Sequence, residues 1–120
     1  MTDQRQSEGK EGIPCPFGDG RARAWKAWIN AMPGAELRLI VIGEVEAGEG
    51  YTGRLIFAGA DRKLPPNQYL TLEMVEEAGA PGGWREIRAD GPGLGQEYEA
   101  VVIHCHGEEL ARITDIPVVE

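Results

Sequence analysis

A chain of 120 residues, 42% of them apolar, is long enough to bury one core and not two. Twenty Asp and Glu against twelve Lys and Arg leave a formal charge of −8. That charge argues against a nucleic-acid binder, whose phosphate contacts need a basic face, and against docking on anionic membranes. No run of about 18 apolar residues is present, so membrane insertion is not expected. Eight Pro and 17 Gly between short apolar runs favour a turn-rich all-β fold.

In chain order, residues 1–12 are polar, without apolar periodicity, and are expected to be a disordered leader to a single β-sandwich domain over 13–120. Ile13-Pro14-Cys15-Pro16-Phe17 reads as an extended segment laying Ile13 and Phe17 on the body. Cys15 and Cys105 are too few for a disulfide framework. They either form one bridge or stay as two thiols. The chain as given lacks the charged-then-apolar start of a signal peptide. That favours reduced thiols and the cytoplasm, or export if a signal peptide was removed. Asp19 has the chemistry of a helix N-cap. Ala22, Trp25, Ile29 and Met32, with Trp28 beside them, fall at helical spacing, and Pro33-Gly34 would stop the helix. The expectation is one short helix plugging an end or flank of the sheets.

Residues 37–47 carry the strongest strand pattern. Leu37, Leu39, Val41, Val45 and Ala47 alternate with polar positions, Gly43 is the one gap, and Ile40 and Ile42 imply cover on the second face. After Gly48-Glu49-Gly50, residues 51–58 form a second strand, and the two read as a hairpin. Pro65-Pro66-Asn67 marks residues 61–68 as a loop or a sheet-switching crossover. Alternation resumes over 69–76 and 84–89, with glycine-rich turns following each. It returns strongly over 98–106 and closes over 109–114 and 116–119, where Pro117 suits an edge. The count predicts an immunoglobulin-like antiparallel β-sandwich of about seven strands with one short N-terminal helix. Tyr98, opening a late strand after a glycine-rich corner, fits a tyrosine corner, although Ala100 stands where a cysteine is usual.

Trp25-Lys-Ala-Trp28-Ile-Asn-Ala-Met-Pro-Gly34, followed by Gly43 to Val45 and Gly50-Tyr51, resembles a group of uncharacterised small bacterial β-sandwich proteins. The likeness covers about residues 25–60. It implies a short helix ahead of a sandwich and carries no activity with it; some relatives of that kind are exported.

Chemistry-bearing patterns are sparse. His104 and His106, two apart on a strand, share a face and are candidate metal ligands, with Glu108 or Glu109 as a third donor. The spacing is similar to that of cupins and copper-zinc superoxide dismutases, but the chain has only these two histidines. Ser7 is the lone serine, and alternation aims Cys105 away from both imidazoles, so no nucleophile has a base. No catalytic residue and no cofactor is expected. Trp84 with Tyr51 or Tyr98 is the candidate aromatic binding patch. Residues 80–84 and 90–94 are similar in character to the loops of chagasin-type protease inhibitors, whose Asn-Pro-Thr-Thr-Gly and Arg-Pro-Trp sequences this chain lacks. The leading expectation is a non-enzymatic module that binds another protein or itself through loops or an edge strand. A His-x-His metal protein and a loop-based protease inhibitor are the alternatives.

Overall fold

A computed structural model of the chain describes residues 13–95 and 97–120; the expected disordered leader lies outside them. Eight strands are present among these residues. They are β1 (Ala22–Asn30), β2 (Arg38–Ala47), β3 (Tyr51–Ala60), β4 (Asn67–Glu76), β5 (Gly83–Pro92), β6 (Ala100–Cys105), β7 (Glu108–Ile113) and β8 (Val118–Val119). They form two four-stranded sheets, in the orders β5-β2-β1-β8 and β3-β4-β6-β7. The core lies between them, built from Leu39, Val41 and Val45 of one sheet and Leu70, Leu72, Val101 and Ile103 of the other, all fully buried. Removing each such side chain from water stabilises the fold by about 1.5–3 kcal/mol.

The all-β sandwich is as expected, but the N-terminal helix is not there. Residues 22–30 are strand β1, paired antiparallel with β2. Asp19, the expected N-cap, sits in a left-handed turn at φ 59°. The helical spacing of Ala22, Trp25 and Ile29 competes with a period-two reading of Trp25, Ala27 and Ile29. Tryptophan and isoleucine fit a pleated surface well, and a full ladder with β2 decides the outcome. A bulge between Arg23 and Lys26, with Ala24 at φ 61°, breaks the alternation and hid the strand.

Two further expectations about connectivity are corrected. Residues 37–47 and 51–58 are not a hairpin: β2 belongs to one sheet and β3 to the other, so the chain changes layer at residues 48–50. Of the two readings of residues 61–68, the loop is the one found: residues 61–66 connect the antiparallel neighbours β3 and β4 within one sheet, and Asn67 and Gln68 open β4. The layer change at 48–50 is held by the return crossing near residue 80, through Gly50 N to Ala80 O at 2.9 Å and Glu77 N to Gly50 O at 2.8 Å. Nor is the sandwich antiparallel in the immunoglobulin manner. β4 pairs with β6 in parallel at the centre of its sheet, and β1 pairs in parallel with β8.

The gap at Gly43 is filled. A side-chain carbon there would overlap the indole of Trp25, which lies on the bare backbone of β2. Gly91 of β5 admits the ring of Phe57 from the facing sheet in the same way. The expected cover over Ile40 comes from lateral neighbours. Ile40 is only 4% exposed on the outer face, in register between Trp28 and Asp90, while Ile42 lies half-buried between Lys26 and Arg88. Long cationic stems cover apolar surface while their heads stay wet.

The cysteines are joined rather than reduced. Alternation drives Cys105 inward at the end of β6, where the segment before β1 passes, and the pair bonds across a Cα separation of 5.5 Å. Phe17 of that segment is fully buried, whereas Ile13 is exposed. Ordering each residue of the segment costs roughly 1–2 kcal/mol, and burying Phe17 returns only about 2–3 kcal/mol. The bond closes a loop with a sequence separation of 90, worth about 4–5 kcal/mol in the chain-entropy account. The covalent tie is therefore a major part of what holds the segment down.

Gly43→Ala is expected to lower stability by about 1–3 kcal/mol through overlap with Trp25, read from urea unfolding. The same substitution in a Trp25→Ala background should cost far less, because the ring it collides with is gone.

Candidate functional site

Strand directions place three loops at one end of the sandwich. β1 ends and β2 begins there around residues 31–37, β3 and β4 are joined by residues 61–66, and β5 leads to β6 through residues 93–99, of which Gln96 is outside the described set. The loops are stitched to one another. Gly93 N donates to Leu37 O at 2.9 Å, and Glu99 N donates to Pro66 O at 2.8 Å. Gly93 meets Leu37 so closely that a side-chain carbon would lie 3.0 Å from its Cβ. Tyr98, 8% exposed, turns its hydroxyl back to accept from Leu94 N at 2.8 Å, the bond that defines a tyrosine corner.

The 61–66 loop has its own internal frame. The Asp61 carboxylate accepts from Asn67 N and Asn67 Nδ2, each at 3.0 Å, closing the loop across its two ends. The Asn67 backbone amide, more than any other group, holds the Asp61 carboxyl below the usual carboxylate range. Lys63 Nζ lies 2.6 Å from Glu99 Oε1, and that bond holds the ammonium protonated above its usual range. The pair ties the second loop to the third. It is half exposed, so its contribution to stability is small.

Between these two loops lies an open cleft of about 800 Å³, bounded by Leu64, Pro65, Pro66 and Leu94, with Lys63 and Glu97 at its rim. Leu64 is 92% exposed and Leu94 65%. Met32, from the first loop, is 53% exposed at the same end. Each of the three loops thus carries one large apolar side chain into water.

No family model, curated protein or solved structure matches the chain.

Of the aromatic residues singled out by sequence, Trp84 shares an end of the sandwich with Tyr51 and not with Tyr98. Trp84 and Tyr51 open β5 and β3 at the end opposite the three loops, while Tyr98 belongs to the loop end and is buried. Trp84 is occupied by Arg23, whose guanidinium lies 3.7 Å from the ring centre and also pairs with Glu44 at 2.8 Å. Of the two loops compared with protease inhibitors, only 90–94 reaches the loop end; 80–84 lies at the other.

The two histidines are not presented as a pair on one strand face. β6 ends at Cys105, and His106 with Gly107 forms a two-residue turn with φ of 52° and 85°, the backbone of a type I′ hairpin. His104 lies on the strand with its ring 5.7 Å from that of Tyr69, while His106 Nδ1 is 3.1 Å from Ile13 O. Glu109 is engaged by Arg112 through two hydrogen bonds, which hold its carboxyl below the usual range. Among the described residues no group of three or more His, Cys, Asp or Glu could hold a metal ion, and no helix is long and apolar enough to cross a membrane.

Sequence reasoning missed Met32, Leu64 and Leu94. Leu64 carried a signal, a lone apolar residue between Arg62-Lys63 and Pro65-Pro66, but nothing in the sequence said that its loop shares an end with the other two.

Tyr98→Phe should cost about 1 kcal/mol and accelerate hydrogen exchange at Leu94 N, while the core amides of β2 stay protected. Because folding lowers the Asp61 pKa, its contribution to the loop is complete above the ordinary carboxylate range and is lost as pH falls through the lowered value. The NMR shift of the Asn67 amide should therefore titrate with a midpoint below the ordinary 3.8, and Asp61→Asn should abolish that step.

Proposed function

We propose that this β-sandwich is a non-enzymatic interaction module that engages a partner protein through its three-loop end. The observation that carries the reading is the shared display of Met32, Leu64 and Leu94, with the latter two bordering one cleft. Single exposed apolar residues are ordinary on protein surfaces. One on each of three adjoining loops, two of them bordering a concavity, is the pattern of a contact surface with anchors and pockets. The loops rest on a rigid frame, through the Tyr98 hydroxyl, the Asp61–Asn67 closure and the ladder bonds between loops, so little ordering would be needed on binding. The formal charge of −8 makes nucleic acid and anionic bilayers poor partners. Kinship with the small bacterial proteins that share the Trp25 to Gly34 pattern is part of the proposal, with that segment a strand in this chain.

The test is affinity capture by the whole chain, compared with Leu64→Asp/Leu94→Asp and with Trp84→Ser at the opposite end. The double variant should fold normally and lose at least tenfold in retention of the captured protein, as expected on removing a hot spot, while Trp84→Ser retains it. Capture that ignores the leucines, or that depends on Trp84, would refute the loop-end reading.

A further inference from the structure

The end opposite the loops is closed by residues 13–20, which lie across it as a strap. Four features define its mechanics. Phe17 is its plug: fully buried, its ring reaches ordinary contact range of the Gly53 position of β3, where Val45 and Leu72 pack more tightly. Asp19 and Gly20, consecutive residues at φ 59° and 84°, form a tight turn between the strap and β1, while Arg21 O accepts from Glu46 N and fixes the chain beyond it. Arg21 N donates to Gly18 O at 3.3 Å across the Asp19–Gly20 turn, and few other bonds fasten the strap to the body. His106 Nδ1 lies 3.1 Å from Ile13 O, whereas Gly18 N to Cys15 O and Phe17 N to Cys15 Sγ are internal to the strap. The fourth feature is the Cys15–Cys105 bond, which uses both cysteines of the chain. Cys105 is fully buried and Cys15 half-buried, so a reagent reaches the bond from the Cys15 side.

We propose that the strap is a redox-operated latch. While the disulfide is closed, Phe17 plugs the end of the core. When a dithiol reduces the bond, the strap swings about Asp19–Gly20 and uncovers an apolar seat formed by Val45, Gly53 and Leu72. In the reduction a thiolate of the dithiol attacks Cys15 Sγ, the Cys15–Cys105 bond breaks, and Cys105 leaves as a thiolate that takes up a proton. The second thiol then attacks the mixed disulfide and releases Cys15 as a thiol. The dithiol is oxidised to its own disulfide, and the two cysteines are reduced by two electrons. The sandwich stays folded because the ladders of β2 with β1 and β5, and of β6 with β4 and β7, do not run through the strap, whose contributions to the shared core are Phe17 and the half-buried Cys15.

Hydrogen-exchange mass spectrometry on the full chain, oxidised and after dithiothreitol, tests this directly. Reduction should speed exchange over residues 13–21 by about tenfold or more while β2 and β6 remain protected, and reoxidation should restore the slow state. Cys15→Ser/Cys105→Ser should exchange like the reduced protein and ignore dithiothreitol. Oxidised Phe17→Ala should keep its tie to Cys105 and loosen only near residue 17. Three results would overturn the latch: a reduced strap exchanging as slowly as the oxidised one, loss of protection across β2 and β6 on reduction or in the double serine variant, or a bond that dithiothreitol leaves intact in the folded protein.

Discussion

The packing of aromatic rings on bare backbone governs this molecule. Trp25 lies on Gly43, Phe57 on Gly91 and Phe17 beside Gly53. At each position a strand residue contributes no side chain, and a neighbour contributes a large one. Sheets facing each other need interdigitating side chains to fill the layer between them. Aliphatic side chains fill most of it, and at Gly43 and Gly91 a ring takes the space the glycine leaves, so that ring and glycine act as one unit there. The three pairs are spread along the sandwich: Phe57 toward the loops, Trp25 near the middle, and Phe17 at the far end.

This arrangement explains what could be read from the chain alone. The period-two runs around Leu39 and Val41, Leu70 and Leu72, and Val101 and Ile103 are legible because alternation on a half-buried strand is a local property. β1 was not legible because its bulge at Arg23–Lys26 shifts the alternation, leaving Ala22, Trp25 and Ile29 at a spacing that a helix also satisfies. The hairpin assigned across Gly48-Glu49-Gly50 failed for another reason. A short glycine-rich turn serves a hairpin and a change of layer equally well, and only the distant crossing near Ala80 decides between them.

The loop end shows the same division. Tyr98 announced itself by standing after a glycine-rich corner, and its hydroxyl does reach back to Leu94 N. Met32, Leu64 and Leu94 were silent because their relation is purely one of topology: three loops far apart in sequence share an end only once the layer changes are known. His106 was misread because its neighbour Gly107 makes a turn where the pattern suggested continued strand. Cys15 and Cys105 sit on segments whose meeting likewise depends on the completed sandwich.

The parallel pairing of β1 with β8 and of β4 with β6 carries a kinetic consequence. Parallel neighbours cannot be made by a tight turn, so neither ladder can form until the chain between its strands has been threaded through the other sheet. Contacts of such high sequence separation raise the contact order and slow the search for the native state into the millisecond-to-second range. β8 covers the outer edge of β1 only at Ile29 and Asn30, and along the rest of that edge Lys26 and the bulge at Ala24 are the kinds of device that keep an open edge from aggregating.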